Sequence, residues 1–150
     1  VARGGGGDDG GMKRILTTLS WLAAFWAAAA LADSFVCKAA NNERLFRWDG
    51  QYLMKAANNE RLYKWDGQYL MKAGNNERLY KWDGQYLMKA GNNERLLKWD
   101  GSYGMKAANH ERLYKFDGTY LMKAANNERL FRMDGAIPIP VLLALAAGLI

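Results

Sequence analysis

The chain has 150 residues, a formal net charge of +6 and a single cysteine. That length points to one domain, and a lone cysteine excludes an internal disulfide framework. The charge excess is mild: between Asp33 and Gly135 eighteen Lys and Arg face thirteen Asp and Glu, interspersed along the chain. Such a pattern permits weak attraction to anionic polymers and lacks the concentrated basic patch of a dedicated nucleic-acid binder.

Residues 1–11 (VARGGGGDDGG) carry no structural pattern and are expected to be unstructured upstream sequence, with Met12 as the start of the product. Residues 12–32 have the three parts of a secretory signal peptide. Lys13 and Arg14 form a basic n-region, Ile15 to Leu31 an apolar run, and Ala30-Leu31-Ala32 a small-x-small cleavage site before Asp33. The basic end stays cytoplasmic while the apolar run enters the membrane. The expected location is therefore the cell surface or the outside of the cell.

From residue 33 to 135 the chain is a tandem repeat. The unit NNERLYKWDGQYLMKAG returns every 17 residues, its Asn-Asn-Glu-Arg-Leu segment starting at Asn41, Asn58, Asn75, Asn92, Asn109 and Asn126. Five units are complete and the sixth ends at Asp134-Gly135. Each unit reads as two short strands, such as Glu60–Trp65 and Gln68–Lys72, joined by Asp-Gly. Asp-Gly between strand-like runs signals a two-residue type I′ hairpin turn, which needs positive φ at both central positions. The expected turn residues are Asp49, Gly50, Asp66, Gly67, Asp83, Gly84, Asp100, Gly101, Asp117 and Gly118. The second connection, Ala73-Gly74-Asn75-Asn76, holds Gly and Asn, which also tolerate positive φ.

A two-residue turn at Asp66-Gly67 sets Trp65 opposite Gln68 and Tyr63 opposite Leu70. One face then carries Arg61, Tyr63, Trp65, Gln68, Leu70 and Lys72, and the other Leu62, Lys64, Tyr69 and Met71. With apolar residues on both faces, the sheet calls for a second layer or a partner. The fold expected is all-β: tandem hairpins in an open meander or β-solenoid of up to eleven strands. An N-terminal signal helix and a short C-terminal apolar helix flank it. Its open edge invites self-association by strand pairing. The units faintly resemble choline-binding repeats, secreted aromatic hairpin solenoids, without that family's Gly-Trp and paired-Tyr pattern. No binding residue is carried over.

Residues 136–150 turn abruptly apolar, Ala136-Ile137-Pro138-Ile139-Pro140 leading into VLLALAAGLI. A ten-residue helix is about 15 Å long, half a bilayer core. The tail resembles the PEP-CTERM class of bacterial C-terminal sorting signals, lacking the final basic cluster of that class. The resemblance implies a Gram-negative host, processing by a membrane protease and delivery to the surface or matrix. Membrane contact is then expected only through the terminal segments, before processing.

No catalytic constellation is visible, and no enzyme activity, metal or cofactor is expected. His110 stands alone at an Asn position, Cys37 reads as incidental, and Asn75, Asn76, Glu77 and Asp83 make only a weak calcium set. The aromatic residues carry the binding case. Trp48, Trp65, Trp82, Trp99, Tyr52, Tyr69, Tyr86, Tyr103 and Tyr120 recur at fixed intervals and could stack sugar rings, with polysaccharide the favoured partner and nucleic acid disfavoured. The same rings serve equally as strand-stabilising core. The expectation is a structural or adhesive surface-matrix repeat protein. The alternatives are a carbohydrate-binding repeat module and an incomplete or spurious reading frame.

Overall fold

The computed structural model describes residues 33–150, so the segments expected as upstream sequence (1–11) and signal peptide (12–32) lie outside the described residues. Twelve strands follow one another: β1 (Ser34–Lys38), β2 (Arg44–Trp48), β3 (Tyr52–Lys55), β4 (Arg61–Trp65), β5 (Tyr69–Lys72), β6 (Arg78–Trp82), β7 (Tyr86–Lys89), β8 (Arg95–Trp99), β9 (Tyr103–Lys106), β10 (Arg112–Phe116), β11 (Tyr120–Lys123) and β12 (Arg129–Asp134). Among the described residues one helix, α1 (Ile139–Ala146), follows the strands. Every strand pairs antiparallel with its sequence neighbours and β1 pairs with β12, which closes the sheet into a barrel.

Closure corrects the expected open meander or solenoid, and its cause is legible in β1. Ser34-Phe35-Val36-Cys37-Lys38 occupies the register of the second strand of a unit, Gln-Tyr-Leu-Met-Lys elsewhere. Val36 faces Met133 and Cys37 faces Arg132, just as Leu70 faces Trp65 and Met71 faces Lys64 within a unit. The N-terminal strand thus completes the sixth unit, whose own second strand is absent. Among the described residues the strand total is twelve rather than eleven, and each strand is paired on both sides.

The hairpin turns also differ from the expected type I′. Trp65 pairs with Leu70 rather than Gln68, and Asp66 N–H donates to the Tyr69 carbonyl at 3.3 Å. The central pair is therefore Gly67-Gln68, with Asp66 at the corner. Only the glycine carries positive φ (+99°), a region costly for a residue with a Cβ. The Asp66 carboxylate accepts the N–H groups of Gln68 and Tyr69 at 2.8 and 2.7 Å. At the opposite end, four residues separate Lys72 from Glu77. The first Asn of each pair accepts the Glu N–H through its side chain, as Asn75 does at 3.0 Å. The second adopts the left-handed conformation, φ 57–60°, a position that His110 also fills.

The register shift is by an even number of residues, so Trp65, Tyr63 and Leu70 still share a face. A bulge at the Leu62 position moves Arg61 off that face, to pair with Met54 on the outside. The inward face holds the core: Leu53, Leu70, Leu87, Leu97 and Leu121, with the Trp series toward one mouth. A barrel of eight strands is filled by its own side chains, whereas wider ones leave space. Here α1 takes that space. Pro140 to Ala144 are all buried, and consecutive buried residues cover every side of a helix, so α1 is surrounded by the wall.

The ends of α1 are satisfied in ways that suit burial. Pro140 in the first turn brings no N–H to strand, and the Val141 N–H reaches the Pro138 carbonyl at 3.1 Å. At the other end Gly148, φ +70°, and Leu149 close a Schellman motif on Leu145 and Ala144. Tyr114 and Tyr80 of the wall donate their hydroxyls to the carbonyls of Ala146 and Leu149 at 3.0 and 3.2 Å.

Candidate functional site: the Asp-Gly mouth and the outer wall

The barrel has two mouths, one ringed by the Asp-Gly turns and one by the Asn-Asn loops. The chain leaves β12 at the Asp-Gly mouth and passes inward through Ala136, Ile137 and Pro138 before α1 begins. A cleft of about 750 Å³ lies beside this crossing. Trp48, Trp65, Gln51 and Asp66 line it with the turn glycines and the crossing segment. Trp48 is buried at 5% exposure, whereas Trp65, Trp82 and Trp99 are only partly buried. The ring of inward Trp residues is therefore core on one side and rim on the other. The turns are tied to one another around this mouth: the N–H groups of Trp65, Trp82 and Trp99 donate to the carbonyls of Gln51, Gln68 and Gln85 in the preceding turn, each at 2.8 Å.

The aromatic residues expected as one platform are split by the wall. Trp48, Trp65, Trp82 and Trp99 point inward, whereas Tyr52, Tyr69, Tyr86, Tyr103 and Tyr120 lie outside. Each outer ring is covered by an arginine of the next strand. The guanidinium of Arg61 stands 4.2 Å from the Tyr52 ring centre, and Arg129 stands 4.0 Å from Tyr120. Arg44 covers Phe35 in the same way at 3.9 Å, so β1 conforms to the pattern here too. The stacking is cation–π contact. Between the rings sit Met54, Met71, Met88, Met105 and Met122, outward by alternation yet buried, because Lys and Arg stems flank them across the strands. Cys37 occupies this methionine position and is buried at 1% exposure.

Carboxylates collect at the mouths. The turn aspartates Asp83, Asp100 and Asp117 are held below the usual carboxylate range by the N–H of the following Tyr. The adjacent N–H and the field of an arginine add to this against slight desolvation. For Asp66 desolvation is the largest single influence and opposes the shift, but the same donors together with Arg78 outweigh it. At the other mouth Lys72 pairs with Glu77 at 3.0 Å, and the equivalent pair recurs in every unit. Shallow cavities of about 390 and 430 Å³ repeat there, the first between Glu60, Arg61, Tyr63 and Asn75.

The residues considered for calcium are not brought together. Asn75, Asn76 and Glu77 belong to the Asn-Asn mouth and Asp83 to the opposite one, with β6 between them. Among the described residues no three His, Cys, Asp or Glu side chains converge on a point, and no helix is long and apolar enough to cross a membrane. The strands are four to six residues long. A membrane-spanning strand needs about nine to eleven, with an apolar outer band where this wall carries Lys and Arg.

Two features escaped the sequence reading, and both had a signal. Lys38-Ala39-Ala40 precedes Asn41 just as Lys55-Ala56-Ala57 precedes Asn58, which marks Ser34–Lys38 as a displaced second strand. The fourth unit departs from the others at Leu97, for Tyr or Phe, and at Gly104, for Leu. A Cβ on Gly104 would stand 2.6 Å from Leu143 Cδ2 of α1. The departure makes room for the helix.

No protein-family model, curated protein or solved structure matches this chain.

Proposed function

We propose that this is an exported, non-enzymatic binding protein of the cell surface or extracellular matrix whose Asp-Gly mouth holds carbohydrate. The observation that carries this reading is the cleft beside the crossing segment. There the partly buried Trp65 shares the lining with Gln51 and Asp66. An indole face offers a sugar ring an apolar platform, and an amide and an ionised carboxylate accept or donate to its hydroxyls. Export rests on the Met12–Ala32 segment, whose sequence has the basic start, apolar run and small-x-small end of a signal peptide.

Barrel closure moves the emphasis from the scaffold reading to the binding one. A closed sheet has no free edge through which to polymerise, so adhesion would come from side chains at the mouth. The test is binding of a panel of neutral oligosaccharides followed by calorimetry. Gln51 is exposed and outside the core, so Gln51→Ala is expected to weaken binding about tenfold with the melting temperature unchanged. Trp65→Ala should weaken it further. A panel with no binder, or a binder indifferent to Gln51 and Trp65, would remove this reading.

A further inference from the structure

Charges that alternate along the chain are sorted by the fold. The Glu residues are neutralised in ion pairs with Lys at the Asn-Asn mouth, and the Asp residues sit in the turns of the other mouth. What remains on the outer wall is cationic. Lys64, Lys81, Lys98 and Lys115 occupy one position of successive units, outward and half-buried at the fourth of the five residues of β4, β6, β8 and β10. No ion pair among the described residues involves any of the four. Lys98 and Lys115 reach only the edge of cation–π range, 5.9 and 6.0 Å from Tyr86 and Tyr103.

Beside each runs an arginine on a tyrosine, as Arg78 lies 4.1 Å over Tyr69. These arginines feel the turn aspartates at a distance, Arg78 that of Asp66 and Arg95 that of Asp83, but no ion pair ties them to those groups. Successive lysines are two strands apart, so their backbones are about 10 Å apart across the strands, and their side chains diverge further because they stand on the convex side of a closed wall.

We infer that the outer wall is a docking surface for a linear acidic polysaccharide, wound around the barrel across β4 to β10 with its carboxylates or sulfates against Lys64, Lys81, Lys98 and Lys115. Charge complementarity selects a polyanion. The arginines select among polyanions. Single-stranded nucleic acid binds by stacking bases on open aromatic faces, and here the outer face of each ring already carries a guanidinium. An anionic sugar chain needs no open ring. The planar guanidinium, held in place by the ring beneath it, presents its N–H groups to a carboxylate or sulfate. The surface lies on the opposite face of the wall from the Asp-Gly cleft and does not depend on the reading given to it.

The experiment is titration of the full chain with polygalacturonate oligomers at several salt concentrations, with dextran and oligodeoxythymidylate as comparisons. Polygalacturonate is expected to bind at low salt and to weaken steadily as salt screens the contact, with dextran silent at the wall. The quadruple variant K64Q/K81Q/K98Q/K115Q is expected to lose about tenfold or more in affinity. Its salt dependence should be shallower and its melting temperature near that of the parent. Because each lysine stem also covers a methionine, the pair variant K64Q/K98Q provides an intermediate whose loss should be smaller in the same direction. Gln51→Ala should leave polygalacturonate binding intact. Absence of polygalacturonate binding, unchanged affinity in both lysine variants, or oligodeoxythymidylate binding at least as tightly would overturn the inference.

Discussion

The wall and the helix that fills it are built on opposite plans. The wall is assembled from near-identical units, each making the same hairpin, the same Asp-capped turn, the same Lys–Glu pair and the same Arg-on-Tyr stack. α1 has no repeat, no charge and no amphipathic face, since Pro140 to Ala144 are all buried. Apart from the pairing of β1 with β12, the wall's contacts are local in sequence. Those of the helix join residues as far apart as Tyr80 and Leu149. Repetition supplies a cylinder with a roughly symmetric inner surface, and a single helix cannot match a symmetric lining on all sides. The asymmetry is met in the fourth unit, where Leu97 and Gly104 replace an aromatic ring and a leucine. Identical units can make a container, but a unique interior needs departures from the repeat.

The most severe way to break this partnership is to remove the helix. Val141, Leu142 and Leu143 are each at most 1% exposed, and burying such side chains contributes roughly 1.5–3 kcal/mol apiece. Deleting residues 136–150 should therefore take at least about 5 kcal/mol, comparable with the entire stability of many domains. Loss of a cooperative melt and of near-UV circular dichroism is the expected outcome. A truncated chain that melts like the parent would show the wall to be self-sufficient.

A finer test bears on the point of contact. Leu143→Ala should cost about 2–5 kcal/mol by denaturant titration. Gly104→Leu, which restores the consensus of the repeat, should cost about 1–3 kcal/mol by overpacking. Combined, the two should be less harmful than their sum, with a coupling of about 0.5–3 kcal/mol. Strict additivity would mean that Gly104 is a random departure and not an accommodation.

Smaller effects are expected in the turns. Asp66→Ala removes the acceptor of two N–H groups and should cost about 1 kcal/mol. Gly67→Ala, at φ +99°, should cost about 1–3 kcal/mol. Either change repeated in several units would add nearly linearly if the units behave independently. Acid gives the mildest perturbation. The folded-state values of Asp66, Asp83, Asp100 and Asp117 lie below the ordinary one. Their contribution is complete above that ordinary value, about 4, and is lost as pH falls through the lower folded values. The melting temperature should hold steady from neutrality to about pH 5 and decline below about pH 4; a decline beginning near pH 6 would point elsewhere.

Much of this molecule was legible in the chain. The 17-residue period, the positions of the strands, the turn glycines and the sharing of a face by Tyr63, Trp65 and Leu70 all follow from local rules of alternation and backbone freedom. So did the need for a second layer behind a sheet with apolar residues on both sides. The turn register was misread by two residues because an Asp side chain replaced a backbone partner at the corner, an arrangement that the dipeptide alone does not distinguish from a type I′ turn. Arg61 was placed on the wrong face because a bulge leaves no mark in an otherwise regular alternation.

By itself, then, the sequence determined the hairpin unit, its spacing and the chemistry each unit presents, since these depend on residues a few positions apart. Only the tertiary structure decided that the last unit borrows its second strand from the N-terminal side. Only there did the apolar tail, similar in sequence to a sorting signal, take its place inside the barrel. The outward charges depend on the same closure. Along the chain Lys, Arg, Glu and Asp alternate and nearly cancel. Wrapped into a cylinder, they are sorted by height, the carboxylates and the lysines paired with Glu to the mouths and the remaining lysines and arginines to the wall, because position along a strand becomes position along the barrel.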